Sequence, residues 1–405
     1  MGGCVPFVAF PWREELPSRR RHTVVAALGV SQTLSWSSSY YLPAILAGPI
    51  SAGIGIPRNW LFAAFSASLL IAALAGPAVG RFIDRHGGRS VLMLSNVVLA
   101  AGLMALAVSI GAVGLFLAWA LIGIGIALGL YDAAFATLTA LYGHEARGPI
   151  TGITLIAGFA STISWPLSTF LNDTLGWRET CLVWAAINIL VSLPINRWFL
   201  PPPVARNESP RVASHAIGWK PYKEMLLLVF VFSAASFVFG SMGAHLPTLL
   251  ERAGATPLAA IAAAALVGPA QVAARAAELI FNRRFHPLAS ARLAILLYPL
   301  GGAALVIMGP AAAAPFAVLY GASNGLLTIA RGTVPLAVFG PRAYGERIGL
   351  LAAPSRAAQA SAPVVFGLML DHIGLSIILV LAAFCVAAFG ALLCLHAGDT
   401  DEAPI

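Results

Sequence analysis

The sequence predicts an all-α membrane protein, with twelve transmembrane helices arranged as two pseudo-symmetric six-helix bundles. Three observations carry that expectation. Of the 405 residues, 59% are hydrophobic and only 10% charged; apolar runs of membrane-crossing length recur along the chain; and glycine and proline landmarks of the first half reappear in the second. A soluble domain carries about a quarter of its residues as Asp, Glu, Lys or Arg. A chain with less than half that share must put much of its outer surface against an apolar solvent, and lipid is the only one large enough.

A helix crossing a hydrocarbon core of roughly 30 Å needs about 20 predominantly apolar residues. Such runs begin near Thr23, Trp60, Val91, Leu115, Ile150 and Thr180, and again near Met225, Leu258, Leu293, Pro315, Gly349 and Ser376. The ninth is short and carries Pro299. The longest polar interruption runs from Asn196 to Glu224 and contains Pro201, Pro202 and Pro203, then Arg206, Asn207, Glu208 and Arg211. It reads as a flexible linker. The expected organisation is a cytoplasmic segment 1–22, a six-helix bundle 23–200, a cytoplasmic linker 201–224, a second bundle 225–396 and a cytoplasmic tail 397–405.

Lys and Arg set the orientation. With the N-terminus inside, eighteen of them fall on the inner side, against Arg58, Arg178 and Arg252 on the other. Cytoplasmic loops carry the Lys/Arg excess, so both termini are predicted cytoplasmic, in an inner or plasma membrane. The stretch up to Arg21 lacks an apolar run of signal-peptide length, and the run from Thr23 reads as a retained helix. The net charge of +8 is distributed in short clusters between apolar runs, which is a topology signal rather than a nucleic-acid face. Cys4, Cys181, Cys385 and Cys394 show no CxxC or Cys/His ligand spacing and read as small core hydrophobes, so neither a metal site nor a cofactor is expected. Trp60, Trp177 and Trp219 near helix ends read as interfacial anchors.

The two halves look duplicated. Gly76-Pro77 recurs as Gly268-Pro269 at an offset of 192, Gly125 and Gly129 as Gly321 and Gly325 at 196, and Gly152 and Pro166 as Gly349 and Pro363 at 197. Three ordered matches at nearly one offset favour a repeated unit. Parallel repeats with a solute site between them are a transporter architecture.

Between the second and third runs the chain reads Gly80-Arg-Phe-Ile-Asp84-Arg85-His-Gly87-Gly88-Arg89. Gly80 permits close helix approach, and Gly87-Gly88 permits a tight turn. Asp84, at a helix end, is suited to face the positive N-terminus of a helix in the other half, while Arg85 and Arg89 are suited to hold acidic partners or lipid headgroups. This stretch resembles the G-x-x-x-D-R-x-G-R-R signature of the major facilitator superfamily. The resemblance implies that the cluster latches an outward-open state, that the protein works as a monomer, and that helices 1, 4, 7 and 10 line a central path, placing Gln32, Asp132, His245 and Arg331 on or near it. Two features depart from the family: its helix-4 arginine would fall near Trp119, and the helix-5 proline-glycine signature is met only by Gly158 and Pro166. The stretch Gln32-Thr-Leu-Ser-Trp36-Ser-Ser-Ser-Tyr40-Tyr41-Leu-Pro43 is loosely similar to the monocarboxylate and oxalate/formate porter branch.

Five ionisable residues lie within the apolar runs: Asp132, Arg275, Glu278, Arg331 and Arg356. A charge at the bilayer centre costs about 2.5–3.5 kcal/mol even on the most lenient scale, so each needs a partner or a watery cavity. Asn324, Thr328 and Arg331 stand at i, i+4 and i+7, as do Gln271, Arg275 and Glu278, and Gln32, Ser35 and Ser39 share a face with Tyr40 and Tyr41 just beyond. Such stripes are expected to face the protein interior. Burial raises a carboxylate's pKa and a neighbouring Arg lowers it, so a carboxylate balanced between the two is suited to load and unload a proton. Asp132 is the expected coupling residue, with Arg331 as counter-charge or substrate anchor; a permanent structural ion pair is the other reading.

Three embedded guanidiniums against two carboxylates favour an anionic or strongly hydrogen-bonding solute, since Arg pairs with carboxylates in a bidentate fork. The leading expectation is a proton-coupled porter of a small organic anion. The alternative is an efflux pump for a drug, a toxic metabolite or a metalloid oxyanion. An embedded enzyme would need a nucleophile with its base, or a metal cluster, at membrane depth, and neither is expected here.

Overall fold

The computed structural model describes residues 18–202, 219–281 and 285–395. The expected tail 397–405, most of the segment 1–22 and the central part of the linker lie outside those described residues. Every regular element among them is helical. The helices form twelve spans. Span 1 is Ser18–Ser38 with Leu42–Ile54, span 2 Arg58–His86, span 3 Arg89–Ala107, span 4 Gly111–Gly129 with Tyr131–Tyr142, and span 5 Arg147–Ala157 with Ala160–Leu175. Span 6 runs Trp177–Ile187, a π-helical turn Asn188–Ser192 and Leu193–Phe199. In the second half, span 7 is Trp219–Arg252, span 8 Pro257–Ala265 with Val267–Phe281, span 9 Pro287–Met308, span 10 Ala313–Phe339, span 11 Tyr344–Ile373 and span 12 Ile377–Leu393.

Most helices start a few residues before the apolar run that announces them, Arg147 for Ile150 and Tyr344 for Gly349, because the backbone hydrogen-bond ladder continues through the polar ends. Eight helical stretches are long and apolar enough to cross a membrane, and Gly111–Leu175, Pro287–Phe339 and Tyr344–Leu393 each hold two spans. Span 1 is not among them, since it carries Ser31, Gln32, Thr33, Ser35, Ser37, Ser38 and Ser39; all seven are buried against neighbouring helices. The outer surface is the reverse. Leu74, Ile110 and Ile307 are 81%, 85% and 81% exposed. Polar side chains inside and leucines outside is the distribution of a protein whose solvent is lipid.

Four spans are interrupted, and the interruptions shape the interior. Span 1 breaks at Ser39–Tyr41, and Pro43 stands in the first turn of the helix that follows, where its missing N–H leaves no intrahelical bond unmade. Span 4 kinks at the extended Leu130, span 5 at Gly158-Phe159 and span 8 at Leu266. Side-chain donors serve carbonyls near the span 4 kink: Gln32 Nε2 donates to Gly129 O at 2.6 Å and Ser95 Oγ to Gly125 O at 2.8 Å. The kink in span 4 also puts Asp132 in the first turn of Tyr131–Tyr142, where the helix dipole favours negative charge.

The halves meet most closely at the end that carries the Arg-rich loops. Spans 2 and 11 cross with almost no side chain between them: a Cβ added to Gly80 would stand 1.9 Å from Gly345 O, and one added to Gly349 would stand 2.5 Å from Gly76 O. Just beyond, the Asp84 carboxylate accepts from the backbone N–H groups of Gly345 and Glu346, both at 2.9 Å, capping the N-terminus of span 11. Arg81 pairs with Glu346 at the surface, and Arg147 of span 5 reaches Glu278 of span 8 at 3.0 Å and donates to Phe285 O. Gly87 takes a φ of +78° to turn the chain, Arg89 donates to the Arg197 carbonyl, and Arg85 is exposed. Among the described residues, the hydrogen bonds and ion pairs joining the halves stop, going towards the opposite end, at Gln359 and Tyr40. The basic end is closed.

Overpacking a well-filled contact costs about 1–3 kcal/mol. Gly80→Val is therefore expected to lower the unfolding temperature of the detergent-solubilised protein by several degrees. Gly48→Val, where an added Cβ meets nothing within 4 Å, should leave it nearly unchanged.

Candidate functional site

Above the closed basic end the helices enclose a cavity of about 120 Å³ between the two halves. Trp36, Tyr40 and Tyr41 of span 1 and Tyr131 and Asp132 of span 4 line it from the first half. Gln271 and Arg275 of span 8, Asn324, Thr328 and Arg331 of span 10, and Arg356 and Gln359 of span 11 line it from the second. The kinks explain the placement: the breaks in spans 1 and 4 lie immediately beside Tyr40, Tyr41, Tyr131 and Asp132.

Asp132 is the electrostatic centre. Its Oδ2 accepts from Arg356 Nη2 at 2.7 Å, and its Oδ1 lies 3.3 Å from Arg331 Nε. The carboxylate belongs to the first half and both guanidiniums to the second, so the triad spans the interface between the halves. Arg356 is the more buried partner, its side chain 8% exposed against 23% for Arg331. Sequence reasoning paired Asp132 with Arg331 and left Arg356 secondary. The i+3 spacing of Gln359 from Arg356 on an apolar helix was the available signal for a second polar stripe.

Arg275 also crosses the interface. Its Nη1 donates to Thr154 O at 3.1 Å, at the loosened end of the first helix of span 5, and its Nη2 stands 3.4 Å from both Gln271 Oε1 and Thr328 Oγ1. The cavity thus holds three guanidiniums against one carboxylate. Three buried polar atoms on its lining residues have no partner: Trp36 Nε1, Arg275 Nε and Arg356 Nη1. All three are N–H donors.

The other expected residues stand elsewhere. Gln32 is 1% exposed behind the wall, serving the span 4 kink. Glu278 faces Arg147 and accepts from Ser290 Oγ at 2.9 Å, at the basic end. His245 shares a 2.8 Å hydrogen bond with Pro363 O and packs against Phe366, within the second half. Trp60 is exposed at its helix end, but Trp177 is buried under Arg178 and against Gly53, so its ring fills a helix contact rather than an interface; the Trp219 side chain lies outside the described residues. Cys181 and Cys385 are buried, Cys394 is exposed, and Cys4 lies outside the described residues.

At the basic end His286 Nδ1 accepts from Leu288 N, and burial together with the nearby Arg147 and Arg292 cations holds its pKa below the ordinary histidine value. One spacing runs against expectation for the enzyme class: Gly321-Ala-Ser323-Asn-Gly325 spells GxSxG inside span 10. It is not a nucleophile elbow. Ser323 is buried and donates to Ala294 O at 2.7 Å, while Gly321 and Gly325 lie against the backbone of span 8.

The sequence matches the family model described as Major Facilitator Superfamily over residues 24–330. A curated relative from Thermoproteus tenax, described as an uncharacterized 38 kDa protein in 23S RNA operon, is 28% identical over 355 residues, covering 78% of this chain and 88% of its own. Among solved structures the chain is similar to the human organic anion transporter MFSD10 (TETRAN), with a TM-score of 0.69 at 18% identity, covering 93% of this chain and 100% of that one. It is similar also to the proton:xylose symporter XylE bound to 6-bromo-6-deoxy-D-glucose, with a TM-score of 0.71 at 13% identity, covering 93% and 96%. At these identities the structural likenesses speak to the fold.

Breaking a buried ion pair by removing one partner costs about 3–5 kcal/mol, because the other charge is left uncompensated. Arg356→Gln is expected to destabilise towards the lower end of that range, since Arg331 still faces Asp132. In a double-mutant cycle, Asp132→Asn with Arg356→Gln should cost less than the two single changes together.

Proposed function

The chain belongs to the Major Facilitator Superfamily, and from that premise we propose that this multi-pass membrane transporter carries a small organic anion together with a proton. The observation that carries the reading is the electrostatic balance of the cavity: Arg275, Arg331 and Arg356 against Asp132 alone, with every orphaned buried polar atom on the lining residues a donor. Buried donors without acceptors cost free energy, and an acceptor-rich ligand offsets that cost once the side chains shift to meet it. A carboxylate matches guanidinium geometry bidentately. The printed description of MFSD10 as an organic anion transporter accords with this reading.

Asp132 gives the coupling its logic. Protonation removes the negative charge that ties the first half to Arg331 and Arg356, and an entering anion satisfies those guanidiniums in its place. Loading one proton and one monoanion leaves the net charge of the triad unchanged. The site then avoids the cost of moving a new charge through lipid as the halves rock. The Lys/Arg distribution supports an orientation with both termini, and therefore the closed end, in the cytoplasm of a cell bounded by this membrane. The cavity is complete within one chain, which supports a monomeric unit.

Reconstituted vesicles with an imposed pH gradient test the proposal. Uptake of a labelled small carboxylate should rise several-fold when protons flow inward, and Asp132→Asn should abolish that gradient dependence. Undiminished coupling in the variant would end the role given to Asp132. Movement of anions outward against the proton flow would move the protein to the efflux class.

A further inference from the structure

The cavity is chemically divided. Its guanidiniums all come from the second half, whereas the first half presents a continuous aromatic wall. Trp36 lies 5.1 Å from Tyr40, 6.1 Å from Tyr41 and 4.8 Å from Tyr131, measured between ring centroids, and Tyr40 and Tyr41 meet edge to face at 5.6 Å. Phe239 of span 7 closes the wall at 6.3 Å from Tyr40. Tyr40 is engaged by Gln359, but the Tyr41 and Tyr131 hydroxyls make no hydrogen bond among the described residues, and both side chains line the cavity.

From this division we infer that the substrate is an aromatic monocarboxylate, its ring among Trp36, Tyr41 and Tyr131 and its carboxylate on the guanidiniums of the second half. The inference rests on the organic-anion reading and narrows it. Four observations support it. A small aliphatic acid satisfies the donors but leaves the wall of rings without an aromatic partner, whereas an aromatic acid presents a ring that meets the cavity-facing sides of Trp36, Tyr41 and Tyr131 in offset or edge-to-face contact. The volume is of single-ring scale, at about 120 Å³ somewhat below the roughly 150 Å³ of an apolar cavity that accepts benzene. An aromatic box also suits a quaternary ammonium, but three guanidiniums facing one carboxylate repel a cation in the same space. Lastly, a ligand that binds the first half through its ring and the second through its carboxylate bridges the interface, so its binding energy acts on the equilibrium between the two arrangements of the halves.

Calorimetric titration of the purified full chain in detergent tests this with benzoate, acetate, benzamide and glycine betaine. Benzoate is expected to bind at least about tenfold more tightly than acetate, from ring burial plus the aromatic preference, and benzamide, which lacks the charge, should not bind measurably. Trp36→Leu should reduce the benzoate-to-acetate ratio several-fold. Tyr131→Leu, which removes the ring beside Trp36, provides the same reading should the first variant not fold. Equal binding of acetate and benzoate would overturn the aromatic inference while leaving the organic-anion proposal standing. Tightest binding of glycine betaine would replace it with a zwitterion site. Failure of every carboxylate to bind would remove both.

Discussion

The ion triad of Asp132 with Arg331 and Arg356 is the constraint around which the rest of the interior is arranged. None of the three charges is tolerable in hydrocarbon alone, and each is stabilised only while the two halves are together at that depth. The fold supplies what the triad needs: a kink that sets Asp132 at a helix N-terminus, a buried position on span 11 for Arg356, and a cavity wall for Arg331. A buried pair is weak evidence for stability, because its desolvation offsets much of its attraction. Its placement across the interface between the halves is what the proposed coupling of charge state to conformation rests on.

A second, different kind of contact closes the basic end. There the halves are joined by backbone rather than by buried charge: glycines of spans 2 and 11 face each other, and Asp84 caps the first amides of span 11. Such a joint depends on shape and on the helix dipole, and a charged ligand in the cavity does not compete for it. In the proposed function the triad, by contrast, shares its donors with the entering anion. The two joints therefore differ in kind, one made by backbone and shape and the other by buried charge.

Much of this was legible in the chain. Hydropathy and length announced the spans, and span 1 was found although its buried serines and glutamine depress its apolar average. The Gly80 to Arg89 stretch gave both the close helix approach and the acceptor for a helix N-terminus in the other half. The polar stripe Asn324, Thr328 and Arg331 does face the cavity. Other features were hidden. Gln32 and Glu278 look like cavity residues by spacing, yet Gln32 serves a kink and Glu278 serves the closed end. Helical periodicity says which side chains share a face, not which neighbour that face meets. Trp36, Tyr131 and Phe239 were passed over because an aromatic residue in an apolar run resembles any other core residue until its neighbours are known.

The sequence by itself determined the solvent, the number of crossings and the family motif, because these follow from composition and local spacing, which act along the chain. Only the tertiary structure decided that Arg356 is the tighter partner of Asp132, that Arg275 crosses to Thr154 of span 5, and that the cavity's guanidiniums all come from the second half while Trp36, Tyr40, Tyr41 and Tyr131 come from the first. Those facts depend on residues more than a hundred positions apart meeting at one depth. That depth is fixed by kinks at Tyr41, Leu130 and Gly158 and by glycine contacts between helices, not by the character of any single segment.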